Sequence, residues 1–181
     1  TVLSSFEPGP GTLICEEDPN VEAPVVSGIA FNRDEAAIAV TRVPHRPGVA
    51  HALLKPVSDS NIEVDMIVVN APRGESVDLS FTVHRDDYAR ALELTRQAAV
   101  KYPGAAVEGD DRVAKLAVVG SGMRSHAGVA AKLFETLGAE GINVRLVSTS
   151  EIKISVLVAE AELERAVRAL HKAYGLERPP S

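Results

Sequence analysis

Two short stretches of the chain place a glycine, basic side chains and a following apolar run where a small anion could be held: HRPGVA at 45–50 and RSHAGVA at 124–130. Each lies between a β-branched run and a stripe of helical spacing. A glycine at such a junction lets the main chain approach a ligand closely, and the first-turn amides of a helix have no partner within it. They can receive a carboxylate, with about 0.3–1 kcal/mol from the helix dipole and more from charge-assisted hydrogen bonds. The strand expected opposite carries Glu63 and Asp65 in one case and Asn143 and Arg145 in the other. An acidic side chain suits an α-ammonium, and an Asn side chain or strand carbonyls suit a hydroxyl. A free amino acid fits this set. So do two tight turns among solvated charges, and residue types alone leave both readings open.

Other chemistry finds little support. His45, His51, His84, His126 and His171 show no close metal-ligand spacing, and the single Cys15 cannot build a thiolate cluster. GSGMRSHAG, from Gly120, has a Gly-x-Gly but not the Gly-Lys-Ser/Thr ending of a phosphate loop, so it reads as a flexible strand-to-helix connection. Asp86, Asp87, Asp110, Asp111, Glu162 and Glu164 fall on polar faces or in loops. No residue stands out as nucleophile or general base, and no metal or cofactor is expected.

The elements that must carry these stretches are written twice. AIAVTRVPHRPGVAHALLKPVSDSNIEVDMIVV, from Ala37, lies over AVVGSGMRSHAGVAAKLFETLGAEGINVRLVST, from Ala117, at a shift of 80 residues. Gly48 falls on Gly128, Leu53 on Leu133, Ile62 on Ile142 and Val64 on Val144. Beyond the next strand the shift becomes 75, Val83 falling on Val158, with the missing residues in the turn-like NAPRGES of the first copy. Each copy reads strand, helix, strand, strand, helix. In the first, 37–43 is a strand. Val49, Ala52, Leu53, Pro56 and Val57 form a helical stripe that Pro56 should kink or shorten. Ile62, Val64, Met66 and Val68 alternate with polar residues, as does 77–83. Asp86 or Asp87 can cap the next helix, whose face carries Tyr88, Ala91, Leu92, Thr95 and Ala99. The second copy has strands at 115–119, 142–147 and 152–158 and helices at 129–137 and 163–174.

A ferredoxin-like βαββαβ unit needs one more strand per copy. The first has 105–108. The second runs out into the Pro-rich GLERPPS, but VVSGIAF at 25–31 is a spare strand ahead of the first copy. The expected fold is therefore α+β, two ferredoxin-like units, with the N-terminal strand completing the second sheet. A plain tandem with an incomplete last sheet is the alternative. The expected divisions are an N-terminal arm at 1–18, the completing strand at 19–33, the first unit at 34–111, the second at 112–176 and a tail at 177–181.

Of the 181 residues 45% are apolar, enough to bury a core. The formal charge of −6 argues against a nucleic-acid partner or a polybasic membrane anchor, and no apolar run approaches the roughly 18–20 residues of a membrane span. Aromatic residues are only 4%, with no Trp, too few for a base-stacking platform. The start lacks a signal-peptide pattern and the lone Cys permits no intrachain disulfide, so a cytoplasmic location is expected. The chain does not begin with Met, which suits a processed chain or part of a longer one.

SGIAFNRDEAAIAV, PHRPGVAHALLKPVSDSNIEVDMIVVN, VAKLAVVGSGMRSHAGVAAKLFETL and INVRLVSTSEIKISVLV closely resemble the regulatory region of aspartate kinases, and TVLSSFEPGPGTLI resembles the last stretch of their catalytic domain. The resemblance covers nearly the whole chain. It implies tandem ACT domains without catalytic residues, as in the β subunit of an α2β2 enzyme whose α chain phosphorylates aspartate. It further implies a homodimer through ACT domains and end-product inhibition by L-threonine, with L-lysine a second candidate. The family's effector contacts fall on His45, Arg46, Pro47, Gly48, Val49 and Ala50, then on Glu63, Val64, Asp65 and Val69. In the paired domain they fall on Val129, Ala130, Asn143, Val144, Arg145, Leu146, Val147, Ser148 and Ser150. Asp65 is the expected polar anchor. Many relatives under concerted lysine-plus-threonine control carry Asp in place of His45 and Gln in place of Val69; a His is a poor partner for a lysine ammonium, which favours threonine. A free-standing ACT sensor for another enzyme or a transcription regulator is the competing expectation.

Overall fold

The computed structural model describes residues 26–121 and 128–177. The expectations for the 1–18 arm, for residues 124–127 of the second Gly-bearing stretch and for most of the tail lie outside these. The described chain forms β1 (Gly28–Pro44), α1 (Val49–Asp59), β2 (Val64–Val69), β3 (Ser76–Val83), α2 (Tyr88–Ala99), β4 (Ala106–Val119), α3 (Val129–Ala139), β5 (Leu146–Thr149), β6 (Lys153–Ala159) and α4 (Leu163–Ala173). Short 3-10 turns at Arg85–Asp87 and Glu160–Glu162 lead into α2 and α4.

All six strands join one antiparallel sheet in the order β2-β3-β1-β4-β6-β5. β1 and β4 are its two long members, and each serves both repeats. The end of β1 lies between β3 and the start of β4, with Ala37 opposite Asp110 and Thr41 opposite Ala106. The start of β1 pairs with the end of β4, Gly28 opposite Val119 and Asn32 opposite Lys115, and β4 passes the sheet on to β6 and β5. Each four-stranded ferredoxin-like unit thus takes its fourth strand from the long strand that begins the other.

The residues read as a separate N-terminal strand run on into 37–43 without a break, and 105–108 runs on into 115–119. The sequence reads as interrupted because NRDE and GDDR are polar and turn-like. Here they form irregularities of the ladder rather than ends, the register shifting between Asn32 and Glu35 and again before Ala37. Side chains close the local turns: Asn32 Oδ1 accepts from the Asp34 amide and Asp110 Oδ1 from the Arg112 amide.

Helices cover one face of the sheet. Under α3 and α4 a single core gathers Leu116, Val118, Leu133, Leu137, Val156, Val158, Leu163 and Leu170. Under α1 and α2 two clusters centre on Ile38, Val57, Phe81 and Ala91 and on Val40, Leu53, Val77 and Leu79. Several side chains on the opposite face are also buried, Thr82, Ser155 and Leu157 among them. Burial on both faces explains why β6 reads as a nearly continuous apolar run rather than an alternating one.

Three expectations need correction. Pro56 lies inside α1, yet α1 has the same 11 residues as α3, so the proline does not shorten it. Neither Asp86 nor Asp87 caps α2 with its side chain. Asp34 of β1 instead holds the start of the 3-10 turn ahead of α2, accepting from the Arg85 amide at 2.9 Å and meeting the His84 ring at 3.0 Å. The strand expected at 142–147 is β5 at Leu146–Thr149, because Ile142 turns into the core beneath the end of α3.

Candidate functional site

Both glycines of the paired stretches adopt a left-handed backbone, φ 86° at Gly48 and 101° at Gly128, and each is the N-cap of its helix. A residue with a Cβ is disfavoured in this region, which is why glycine stands at both junctions. Among the described residues no side chain caps either helix. The first turn of α1 is bound only by main chain, Ala52 N–H donating to the Gly48 carbonyl and, at 3.4 Å, Val49 N–H to that of Arg46. His45, Arg46, Pro47, Gly48 and Ala50 are exposed while Val49 anchors the turn in the core. At the second junction Gly128 and Ala130 are exposed, Val129 is buried, and the Tyr174 hydroxyl donates to the Val129 carbonyl at 2.8 Å. That carbonyl is already partnered by the fold. Burial pushes the Tyr174 phenol up to about 12.

The other expected residues divide between the two ends of the sheet. β1 and β2 run in the same direction, both antiparallel to β3. The turn at 45–50 therefore follows the end of β1 where Pro44 meets Ser76, and the exposed Val69 closes β2 on that same side. Val64, opposite Val83, marks the other end, with Glu63 and Asp65 beside it. Five residue steps of about 3.3 Å separate Val64 from Val69, roughly 17 Å. Within one chain, Glu63 and Asp65 are not brought beside the Gly48 turn. The second repeat divides in the same way. Ser148 and Ser150 lie towards Val119, where Gly120 N–H donates to the Ile152 carbonyl; Asn143, Val144 and Arg145 lie at the far end, where Arg145 N–H meets the Leu157 carbonyl. Leu146 and Val147 begin β5, and the Ser150 hydroxyl accepts from the Lys153 amide within its own turn.

Asp65, the expected anchor, has a partner. The Lys115 ammonium, from β4, contacts its carboxylate and lies 2.5 Å from Glu35 Oε1. Glu35 is 3% exposed, and its other oxygen, Oε2, has no hydrogen-bond partner among the described residues. Burial would pull the Lys115 ammonium down, but its hydrogen bonds to Asp65 and Glu35 outweigh that and hold it above its ordinary range. His84 adjoins this group, its Nδ1 3.0 Å from Asp34 and its Nε2 3.5 Å from Glu63. The Asp34 bond raises the imidazole above its usual value. Glu35, Glu63, Asp65, His84 and Lys115, with Asn32, Val64 and Val83, line a cavity of about 310 Å³. Arg145 pairs with Asp110, whose carboxyl is lowered by that bond, and both line a cleft of about 540 Å³.

Glu35, Lys115 and His84 escaped the reading of the residues. One signal was available: Glu35 and Lys115 hold the same place in the two copies, 80 residues apart, with opposite charge. Among the described residues no cluster of three or more His, Cys, Asp or Glu could hold a metal ion, and no helix is long and apolar enough to cross a membrane.

ACT-domain sequence profiles match residues 37–100 and 116–174. The chain is 52% identical over 180 residues to an aspartokinase of Pseudomonas aeruginosa, a match covering 98% of this chain and 44% of that protein. It is 51% identical to an aspartate kinase of Stutzerimonas stutzeri, over 98% of this chain and 43% of the other. It thus spans less than half the length of these relatives. A crystal structure of aspartokinase alpha and beta subunits superposes with a TM-score of 0.77 at 52% identity, covering 83% of this chain and 99% of that one. The ligand-free regulatory subunit of aspartate kinase from Thermus thermophilus gives 0.78 at 32% identity, over 82% and 98%. With two ACT repeats sharing their long strands and such likeness along nearly the whole of an aspartokinase subunit, the chain belongs to the regulatory, tandem-ACT family of the aspartokinases.

Proposed function

We propose that this chain is a non-catalytic regulatory part of an aspartate kinase, binding L-threonine at contacts between ACT domains and lowering the rate at which a catalytic α chain phosphorylates aspartate. The observation that carries the reading is the pair of left-handed glycines, Gly48 and Gly128, each opening, at equivalent places of the repeat, a helix that no side chain among the described residues caps. Bare first-turn amides suit an α-carboxylate. The groups that complete such a site are Val69 near the first turn and Val129, Ala130, Ser148 and Ser150 near the second. Because Glu63, Val64 and Asp65, like Asn143, Val144 and Arg145, lie at the far ends of their strands, their joining a Gly turn requires a second copy of the chain. That fits a homodimer through ACT domains within an α2β2 enzyme of the cytoplasm. Threonine is preferred over L-lysine because His45 offers a lysine ammonium no negative partner.

Control follows if the ligand binds one quaternary arrangement better than another; a coupling of about 1–3 kcal/mol changes the active fraction some 5–150-fold. The test is a thermal-shift screen of the twenty amino acids on the full chain. Threonine at 100 times its dissociation constant should add about 2.7 kcal/mol. A flat profile across all twenty refutes the sensor, and a selective response without co-purification of an aspartate kinase α chain favours a free-standing one.

A further inference from the structure

Between the end of α2 and the start of β4 the first repeat leaves a groove that the second repeat fills. β6 joins β4 only from Val113 onward, so residues 106–108 pair with β1 on one side and, among the described residues, with no strand on the other. Beside this free edge lies a hollow of about 420 Å³ whose walls include Arg96, Val100, Tyr102, Pro103 and Val107. Val100 is 81% exposed. The shift of 75 residues puts Gly175 and Leu176 at the places of Val100 and Lys101, and Leu176 packs against the second core. The exposed valine is therefore no requirement of the repeat.

The charge here has one sign. The hollow's lining holds no carboxylate. Arg96 and Lys101 are exposed and, among the described residues, neither has an ion-pair partner; the Lys101 ammonium lies 5.5 Å from the centre of the Tyr102 ring. Their place at the end of α2 suits the helix dipole, but the dipole does not account for apolar surface left open beside them. These unmatched cations stand in a chain of net charge −6. A second copy docked on a twofold axis through this groove would set the same cations face to face. The complement is an acidic segment of a different chain.

We propose that this groove docks an extended, carboxylate-bearing segment of another protein, which in the regulatory complex is the catalytic chain. The segment adds to the free edge of β4 through main-chain hydrogen bonds, seats an aliphatic side chain against Val100 and Tyr102, and offers carboxylates to Arg96 and Lys101. It rests on the reading of this chain as part of an aspartate kinase and names a surface that reading leaves unassigned. Tyr102, Ala105 and Val107 pack against the cluster that contains Val49, so the groove and the Gly48 turn share one core.

The experiment is calorimetric titration of the full chain with the aspartate kinase catalytic chain that co-purifies with it. Wild type is compared with R96E/K101E and with Val100→Asp, all at exposed positions, whose melting temperatures should match wild type. Each variant should bind the catalytic chain at least about tenfold more weakly. Salt should narrow the gap for R96E/K101E, the screening length falling from about 10 Å at 0.1 M to about 3 Å at 1 M. Amide exchange across residues 104–109 should slow in the wild-type complex. Unchanged affinity in either folded variant, or lost affinity without slowed exchange at 104–109, overturns the docking surface and leaves the regulatory reading standing. A variant that changes self-association of the isolated chain gives the groove to a second copy and overturns it equally. If wild type binds no catalytic chain, both readings fall.

Discussion

Arg85 Nη1 lies 3.2 Å from Glu160 Oε1, and the two residues hold the same place in the two repeats, each opening the 3-10 turn that leads into the second helix of its copy. Glu35 and Lys115 repeat the relationship at the junction of the long strands. In two identical copies such positions, meeting near the local twofold axis, would carry like charges and repel. This chain has opposite charges at both, so divergence between the copies has turned two sites of repulsion into links between the domains. Arg85 adds a bond from Nη2 to the Val113 carbonyl at 3.1 Å. Reversing one member, Arg85→Glu, should destabilise the chain by about 1–2 kcal/mol, the pair being partly buried. The double reversal R85E/E160R should recover part of that in urea denaturation. Equal midpoints for the single and double reversals would show that the pair contributes no coupling.

His84 gives the fold a pH dependence whose direction follows from its neighbours. Asp34 raises the imidazole pKa above the unfolded value of 6.5, with a smaller contribution from Glu63. Asp34 in turn is lowered below 3.8, first by the Arg85 amide and next by His84. A raised basic group stabilises the fold fully below its unfolded pKa, and that contribution fades as pH rises through the folded value. The advantage of wild type over His84→Gln in melting temperature should therefore be larger near about pH 5.5 than near about pH 8.5. Below about pH 4 it should shrink again as Asp34 is protonated. A difference that does not vary with pH would mean the imidazole acts here only by packing.

Much of this architecture can be read from residue pattern, and what cannot has a common cause. The shift of 80 residues aligns Leu53 with Leu133 and Gly48 with Gly128 because both pairs answer to local geometry, a buried helix face and a left-handed turn. The spare strand ahead of the first repeat was legible from strand counting. Its continuity with the next was not, because the irregular pairing around Glu35 depends on Asn32, Lys115 and Val113, which are distant along the chain or act through side chains. The expected site divides for the same reason. Spacing identifies Asp65 as a polar residue on a strand but does not say which end of that strand faces the glycine turn, nor that Lys115 reaches it from β4.

The two capping glycines should respond alike to a methyl group. A Cβ at Gly48 or Gly128 would touch nothing within 4 Å, so any cost of alanine is conformational rather than steric crowding by neighbours. With φ at 86° and 101°, Gly48→Ala and Gly128→Ala should each cost about 1–2 kcal/mol in chemical denaturation. Both should also weaken threonine binding, since the turn must shift to relieve the strain. Alanine variants that match wild type in stability and affinity would show that the left-handed turn is not needed for either.

Tyr174 ties the end of α4 to the start of α3, and two measurements separate its hydroxyl from its ring. The hydroxyl bond to the Val129 carbonyl is 2.8 Å long, and Lys132 lies 5.5 Å from the ring centre. Tyr174→Phe keeps the ring and leaves the carbonyl without this donor, so it should cost about 1 kcal/mol. Burial raises the phenol to about 12, which means the fold disfavours the phenolate; stability should begin to fall as pH rises past the unfolded value of 10 and this group should ionise after an ordinary tyrosine has done so. Ultraviolet titration of the folded chain should show a late phenolate step that Tyr174→Phe removes. If that step persists in the variant it belongs to another tyrosine, and the close packing of α4 against the second glycine turn does not shield Tyr174 as the geometry requires.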